Sequence, residues 1–206
     1  MPRWGALRRL GRDQRGISAV EFALISPAFL TMLLGSLDLG HSLYLRAVMQ
    51  GMIQKTARDL SLETGNTTTQ QTALDGVMRK GIQTLIKVPD NKITITRRYF
   101  RDFTKAAAST AEPLTDSNAN GRCDPGEQYQ DSNNNGTWDK DGGDSGQGSA
   151  KDSVVYTVSV TYPRLFPVAK LIGLSNQATL TASTVLANQP YGDQASYNAP
   201  TTRICT

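Results

Sequence analysis

The chain has 206 residues, with 22 Lys and Arg against 18 Asp and Glu, a net charge of +4 and a pI near 9.1; that is enough for one modest core beside an anchor and too little for two full domains. The basic excess belongs to no folded face. Residues 1 to 16 hold Arg3, Arg8, Arg9, Arg12 and Arg15 against Asp13, leaving 17 charges of each sign over positions 17 to 206, so a nucleic-acid partner, which needs a basic face on the domain, is unsupported.

From Ile17 to Leu37 runs a 21-residue segment whose single charge is Glu21. As a helix it spans about 30 Å, the thickness of a bilayer core. Pro27 lies inside it, where a bilayer tolerates a kink better than water does. Five arginines in front hold the N-terminus in the cytoplasm and send the remainder outward. No small-residue cleavage site interrupts the run before Asp38, so the segment stays with the mature protein rather than leaving as a secretory signal.

An ionisable group inside a membrane helix needs a partner, at a cost of about 2.5–3.5 kcal/mol at the centre without one. If the chain is cut between Gly16 and Ile17, the new amine of Ile17 is a cation at the end of an apolar helix, and Glu21 is the fifth residue of that helix. In a staggered bundle the amine of one subunit then meets the carboxylate of its neighbour, and each offsets the desolvation of the other. The alternative is that Glu21 reaches the cytoplasmic interface and does nothing more.

At these residues the sequence resembles a known family. A basic leader, Gly16 and "ISAVEFALISP" are similar to a class III, prepilin-type signal, and "AVEFAL" followed by "GSLDLGHSLYLRAV" resembles the TadE-like proteins, minor pseudopilins of the Tad (Flp, tight adherence) pilus system. The stretch "YPRLFPVAKLIGLSNQATLTASTVLANQPYG", residues 162 to 192, resembles the C-terminal half of the TadE/TadG-like group. Asp38 and His41 depart from the commoner Glu and Arg. The resemblance implies cleavage after Gly16 by a prepilin peptidase, retention of the helix, and a place among other Tad pilins and pseudopilins at an inner-membrane assembly platform. Gly16 suits a cleavage site because its backbone relaxes locally out of helix.

Beyond Leu37 the helix is expected to continue, since Leu45, Met49, Met52 or Ile53, Ala57 and Leu60 recur at three- and four-residue spacing. "ETGN" at 63 to 66 ends it. Thr67 with Gln70 reads as a capping box for a second amphipathic helix through Leu74, Val77, Met78, Ile82 and Leu85, stopped by Pro89. "KITITRRYF", "SVVYTVSVTY" and "ATLTASTVLA" alternate as strands, with Val154, Tyr156, Val158 and Val160 on one face. His41, the single histidine, has no nucleophile assembled around it, and an enzyme is not expected.

Residues 112 to 152 change character, with nine acids against three bases amid Gly, Asn and Ser. Inside, "DSNANGRCDPGE" matches the twelve-position calcium loop: Asp116 at one, Asn118 at three, Asn120 at five, Gly121 at six, the Arg122 carbonyl at seven, Asp124 at nine and Glu127 at twelve. Calcium takes six to eight hard oxygens on a sharply turning backbone, which is why short oxygen side chains alternate and glycine takes the turn. "DSNNNGTWDKDG" repeats the pattern with Asp131, Asn133, Asn135, Gly136, Thr137 and Asp139, but Gly142 occupies position twelve, so this second site lacks its bidentate acid unless Asp141 or Asp144 substitutes. No amphipathic helices flank the loops, which points to a structural clamp of the extracellular type rather than an opening sensor. Cys123 and Cys205 lie on the oxidising side by this topology, and a disulfide between them is expected, with free thiols as the alternative.

The expected fold is α+β and pilin-like: a cytoplasmic leader at 1–16, a transmembrane helix at 17–37, its continuation at 38–64, and a head at 65–206 built on a small antiparallel sheet with the acidic insertion 112–152. The expected protein is a single-pass inner-membrane pseudopilin whose head is extracytoplasmic and which enters the pilus on assembly. The alternative is an unprocessed, membrane-anchored, calcium-binding surface protein.

Overall fold

The helix expected from Ile17 runs unbroken as α1, Ile17–Leu60. Pro27 removes the N–H that the Ala23 carbonyl would accept, yet the helix passes through it. Ser26 Oγ donates to that carbonyl at 3.5 Å, a weak hydroxyl substitute for the missing N–H. The computed structural model describes residues 17–62, 67–166, 170, 173, 175–189, 192–196 and 198–206. The leader with Gly16, the expected terminator at 63–66 and the Pro190-Tyr191 pair lie outside the described residues.

The chain divides into two units. One comprises the chain up to Leu43 together with Pro163–Ala178. Here the apolar side chains of α1 are bare, with Leu24 77% and Met32 80% exposed; among the described residues this is the one helix long and apolar enough to cross a membrane. A core helix of a water-soluble domain buries a stripe. This half of α1 buries none, apart from Asp38, which is 8% exposed. Arg164 Nη1 donates to Asp38 Oδ2 at 2.8 Å and the Leu165 N–H to Asp38 Oδ1 at 3.2 Å.

The other unit comprises Tyr44–Tyr162 and Thr179–Thr206. In it α1 does bury a stripe: Leu45, Met49, Ile53, Ala57 and Leu60 are all nearly inaccessible, each large side chain contributing about 1.5–3 kcal/mol. Of the two candidates at 52 and 53, Ile53 faces the core. Thr67 caps α2, Thr68–Ile86, by accepting the Gln70 N–H, and Lys87 closes it in the left-handed region at φ 53°. Met78 and Ile82 are buried, whereas Val77, expected on the same stripe, is 66% exposed; position 77 lies 100° away from 78 and the buried face of α2 is narrower than the sequence implies. A Cβ on Gly81 would stand 2.9 Å from Met52 Sδ, so the glycine permits α1 and α2 to approach.

The three expected strands form a sheet. β1, Ile93–Phe100, pairs antiparallel with residues 153–160 of the strand that follows the acidic stretch, from Ile93↔Val160 to Phe100↔Ser153. With β4, Asp144–Ser145, β5, Ser153–Pro163, and β6, Gln177–Ala187, the order is β4-β1-β5-β6. Val154, Tyr156, Val158, Val160 and Tyr162 alternate into the core, as period two requires. Tyr156 donates to Asp75 Oδ1 at 3.1 Å, Arg97 pairs with the same carboxylate, and its guanidinium lies 5.1 Å from the Tyr156 ring centroid. This ties α2 to the sheet. Burial, then the Asp75 charge, push the Tyr156 hydroxyl well above its ordinary range.

Besides β4, the acidic stretch 112–152 holds two strands of a second sheet. After α3, Phe103–Ala108, come β2, Leu114–Thr115, and β3, Gln128–Asp131. These join the C-terminal β7, Thr201–Ile204, in the order β2-β3-β7. Strands of two to four residues are too short for an alternating pattern to mark them.

Candidate functional site

The Cys123–Cys205 disulfide is formed, with Cα atoms 5.5 Å apart and a sequence separation of 82; closing a loop of that length contributes about 4.5 kcal/mol on the chain-entropy model. The C-terminus is also hydrogen-bonded onto the first acidic loop, through Cys205 N–H to Glu127 O at 2.8 Å and Gly126 N–H to Cys205 O at 3.0 Å.

The two acidic loops fold alike. In the first, Asp116 accepts the N–H of Asn120 and Gly121, Asn118 Oδ1 that of Asn120, and Asn120 Oδ1 that of Arg122. In the second, Asp131 accepts Asn135 and Gly136, Asn133 Oδ1 accepts Asn135, and Asn135 Oδ1 accepts Thr137. Both place position four and position six in the left-handed region: Ala119 at 57° and Gly121 at 69°, Asn134 at 60° and Gly136 at 82°. The short polar side chains turn the backbone because each offers an oxygen to an N–H two to five residues on.

Position twelve is where the sequence and the structure part. In the first loop Glu127 accepts the N–H of Ser117 at 2.8 Å and of Asp124 at 3.1 Å, positions two and nine, while its own N–H goes to Asp124 O at 3.0 Å. In the second loop the same three bonds are made by Glu112: its carboxylate accepts Ser132 at 2.7 Å and Asp139 at 2.9 Å, and its N–H goes to Asp139 O at 3.0 Å. Trp138 Nε1 adds a bond to the Glu112 carbonyl at 3.0 Å. Gly142 cannot carry the acid, since a Cβ there would stand 2.5 Å from the Thr110 carbonyl. Asp141 and Asp144, the substitutes considered from the sequence, are engaged elsewhere: Asp141 binds Arg98 through both oxygens at 2.9 and 2.6 Å, and Asp144 accepts the Tyr99 hydroxyl at 3.0 Å. The missing carboxylate therefore comes from upstream, 19 residues before Asp131.

The electrostatics differ between the loops. The Asn118 amide, followed by that of Asn120, holds the exposed Asp124 carboxyl below the usual range, at 2.8 and 2.6 Å. Glu112 is 2% exposed, and burial pushes its carboxyl up against the opposing N–H bonds of Asp139 and Ser132. Asp131 is fully buried and bonded by Arg203 Nε at 2.6 Å. Against the opposing effect of burial, Arg98 keeps Asp141 low. Each loop thus offers hard oxygens in the order calcium uses. The amides of Asn118 and Asn120, and of Asn133 and Asn135, donate to the position-nine carboxylate, so a cation requires them to turn their oxygens inward. As they stand, no three acidic, histidine or cysteine side chains among the described residues converge as metal ligands.

On α1, Ile17 opens the helix and Glu21 is exposed on its second turn. Residues 16–58 match the family model described as TadE-like protein. The match covers the helix and stops before the head. No curated protein and no solved structure matches the chain.

The Glu112 geometry carries a test that needs no added ion. Glu112→Ala strips acceptors from two N–H groups at the core of the second loop and is expected to cost about 1–3 kcal/mol for each donor left dry, read as a lowered denaturation midpoint. An unchanged midpoint would show that water replaces the carboxylate freely.

Proposed function

We propose that this chain is a minor pseudopilin that takes part in assembling or priming a Tad-type adhesion pilus, cut after Gly16 and held in the membrane by the first half of α1. The observation that carries the proposal is the bare apolar half of α1, whose run from Ile17 to Leu37 is interrupted by one carboxylate and lies inside the TadE-like match. A helix whose apolar side chains have no cover within its own chain requires lipid or neighbouring helices. In that setting Glu21 needs a cation, and the amine released at Ile17 of an adjacent subunit is one that places both charges at the same end of staggered helices. Pairing then fixes the stagger between subunits, because slipping by a turn leaves both groups desolvated and alone.

The head of this pseudopilin is a calcium-stiffened one in the proposal. Residues Asp116, Asn118, Asn120, the Arg122 carbonyl, Asp124 and Glu127 hold the first ion; Asp131, Asn133, Asn135, the Thr137 carbonyl, Asp139 and Glu112 hold the second. Calcium bound there supplies positive charge that neutralises clustered carboxylates. The strands and the disulfide around the loops, in place of paired amphipathic helices, suit a clamp of the extracellular class, with affinity on the order of 0.1–1 mM. The alternative, an unprocessed anchored surface protein, uses the same loops but has no need of Glu21.

Two outcomes are expected. Glu21→Ala leaves the chain cleavable and membrane-bound but reduces surface pili in cells carrying it as the sole copy; normal piliation would favour the fixed-anchor alternative. In isothermal titration the detergent-solubilised chain takes up two calcium ions, falling to one in Asp116→Ala and to one in Glu112→Gln. A wild-type chain that releases no heat on calcium addition would remove the metal from the account.

A further inference from the structure

The connection between β5 and β6 does not have the composition of a water-exposed loop. Arg164 N–H donates to Asn176 O at 2.8 Å, closing its base. The eleven residues 165–175 between them, "LFPVAKLIGLS", contain seven apolar side chains besides Pro167, a single cation, Lys170, and no acid. Connections exposed to water favour Gly, Asn, Asp and Ser for turn chemistry, as the acidic loops of this same chain do. Leu165 is 56% exposed and Lys170 is exposed, with Phe166 half-buried.

Its position explains the composition. The connection belongs to the same unit as the bare half of α1, and Asp38 holds it there by the Arg164 ion pair and the Leu165 N–H. Asp38 is the first charged residue after Glu21, directly following the 21-residue apolar run, which at 1.5 Å per residue reaches across about 30 Å of hydrocarbon. The ion pair therefore marks the level at which α1 leaves the bilayer. Leu39 and Leu43 remain 62% and 58% exposed beyond it, so the apolar surface of α1 continues past Asp38, in the unit that also holds Leu165.

We infer that the described residues of the β5–β6 connection make a second membrane contact: Leu165 and Phe166 enter the lipid interface beside α1, with Lys170 among the headgroups. The inference rests on the reading of α1 as a membrane helix. Its occupant is lipid because the surface is continuous with the bare helix face and because the only charge within the eleven residues is a cation, the sign that phosphate headgroups favour. An aliphatic segment with one lysine settles at this depth, with the lysine extending its ammonium toward phosphate. The consequence is orientational. A helix alone is free to rotate about its axis in a bilayer, whereas two contacts fixed to each other at Asp38 set one face of the unit toward the membrane.

The native cysteines are joined to each other, so Leu165→Cys in the full chain gives a single free thiol for an environment-sensitive fluorophore. The labelled chain is reconstituted in vesicles of phosphatidylethanolamine and phosphatidylglycerol, with Leu37→Cys as the probe of the helix and Ala73→Cys, on exposed α2, as the water reference. The expected result at position 165 is a blue-shifted emission, quenching by lipids bearing a nitroxide high on the acyl chain, and loss of quenching by aqueous iodide. If position 37 is lipid-quenched while position 165 is quenched by iodide as readily as position 73, the second contact is wrong and the membrane helix stands. If position 37 is itself open to iodide, the membrane reading fails and takes the inference with it. Protection of position 165 that disappears on diluting the protein in lipid would assign the surface to a second copy of the chain and overturn the lipid contact.

Discussion

The constraint on which the structure depends is that α1 is one rod with two incompatible surroundings. Up to Leu43 its leucines, phenylalanines and methionines are bare, and from Leu45 its stripe is sealed in a core. Hydrophobic burial at about 25 cal/mol per Å² accounts for the second half within the chain itself. It leaves the first half unstable in water unless something outside the chain covers it. That requirement, rather than any single motif, is what the proposed membrane or filament setting meets, and in that setting Glu21 needs a cation.

The acidic region solves a different problem. A stretch so rich in Asn, Asp and Gly has too little apolar surface to hold itself together. Its order comes instead from side-chain oxygens that cap backbone N–H groups, from two short strands that borrow β7, and from the disulfide to Cys205. Glu112 is central because one residue closes the second loop with its N–H, its carbonyl and both carboxylate oxygens. Arg98 performs a complementary role from β1, binding Asp139, Asp141 and the Gly143 carbonyl, so the loop is fastened to the main sheet by charge where it lacks apolar packing.

What was legible in the sequence follows from range and periodicity. The stripe of α1 and the alternating face of β5 were readable because a buried face imposes its period on consecutive residues, and the cap at Thr67 because it is local. The turn of the first acidic loop was readable for the same reason, since Asp116, Asn118 and Asn120 and the N–H groups they accept lie within a few consecutive positions. Val77 was misplaced since one apolar residue at a stripe's margin carries no sign of whether the neighbouring element reaches it. The second sheet was invisible because its strands are shorter than one period can reveal. Glu112 and the Asp38–Arg164 pair were invisible because their partners are distant along the chain, 126 residues apart in the latter case, and no local pattern announces them.

The proposed function turns on the Glu21 carboxylate being matched, within the membrane, by an amine that proteolysis creates. Intact-mass measurement of the protein taken from its native membrane addresses this most directly. The account requires a mass corresponding to a chain beginning at Ile17; a mass that includes Met1 and the arginine-rich leader would contradict it and leave an ordinary tethered head.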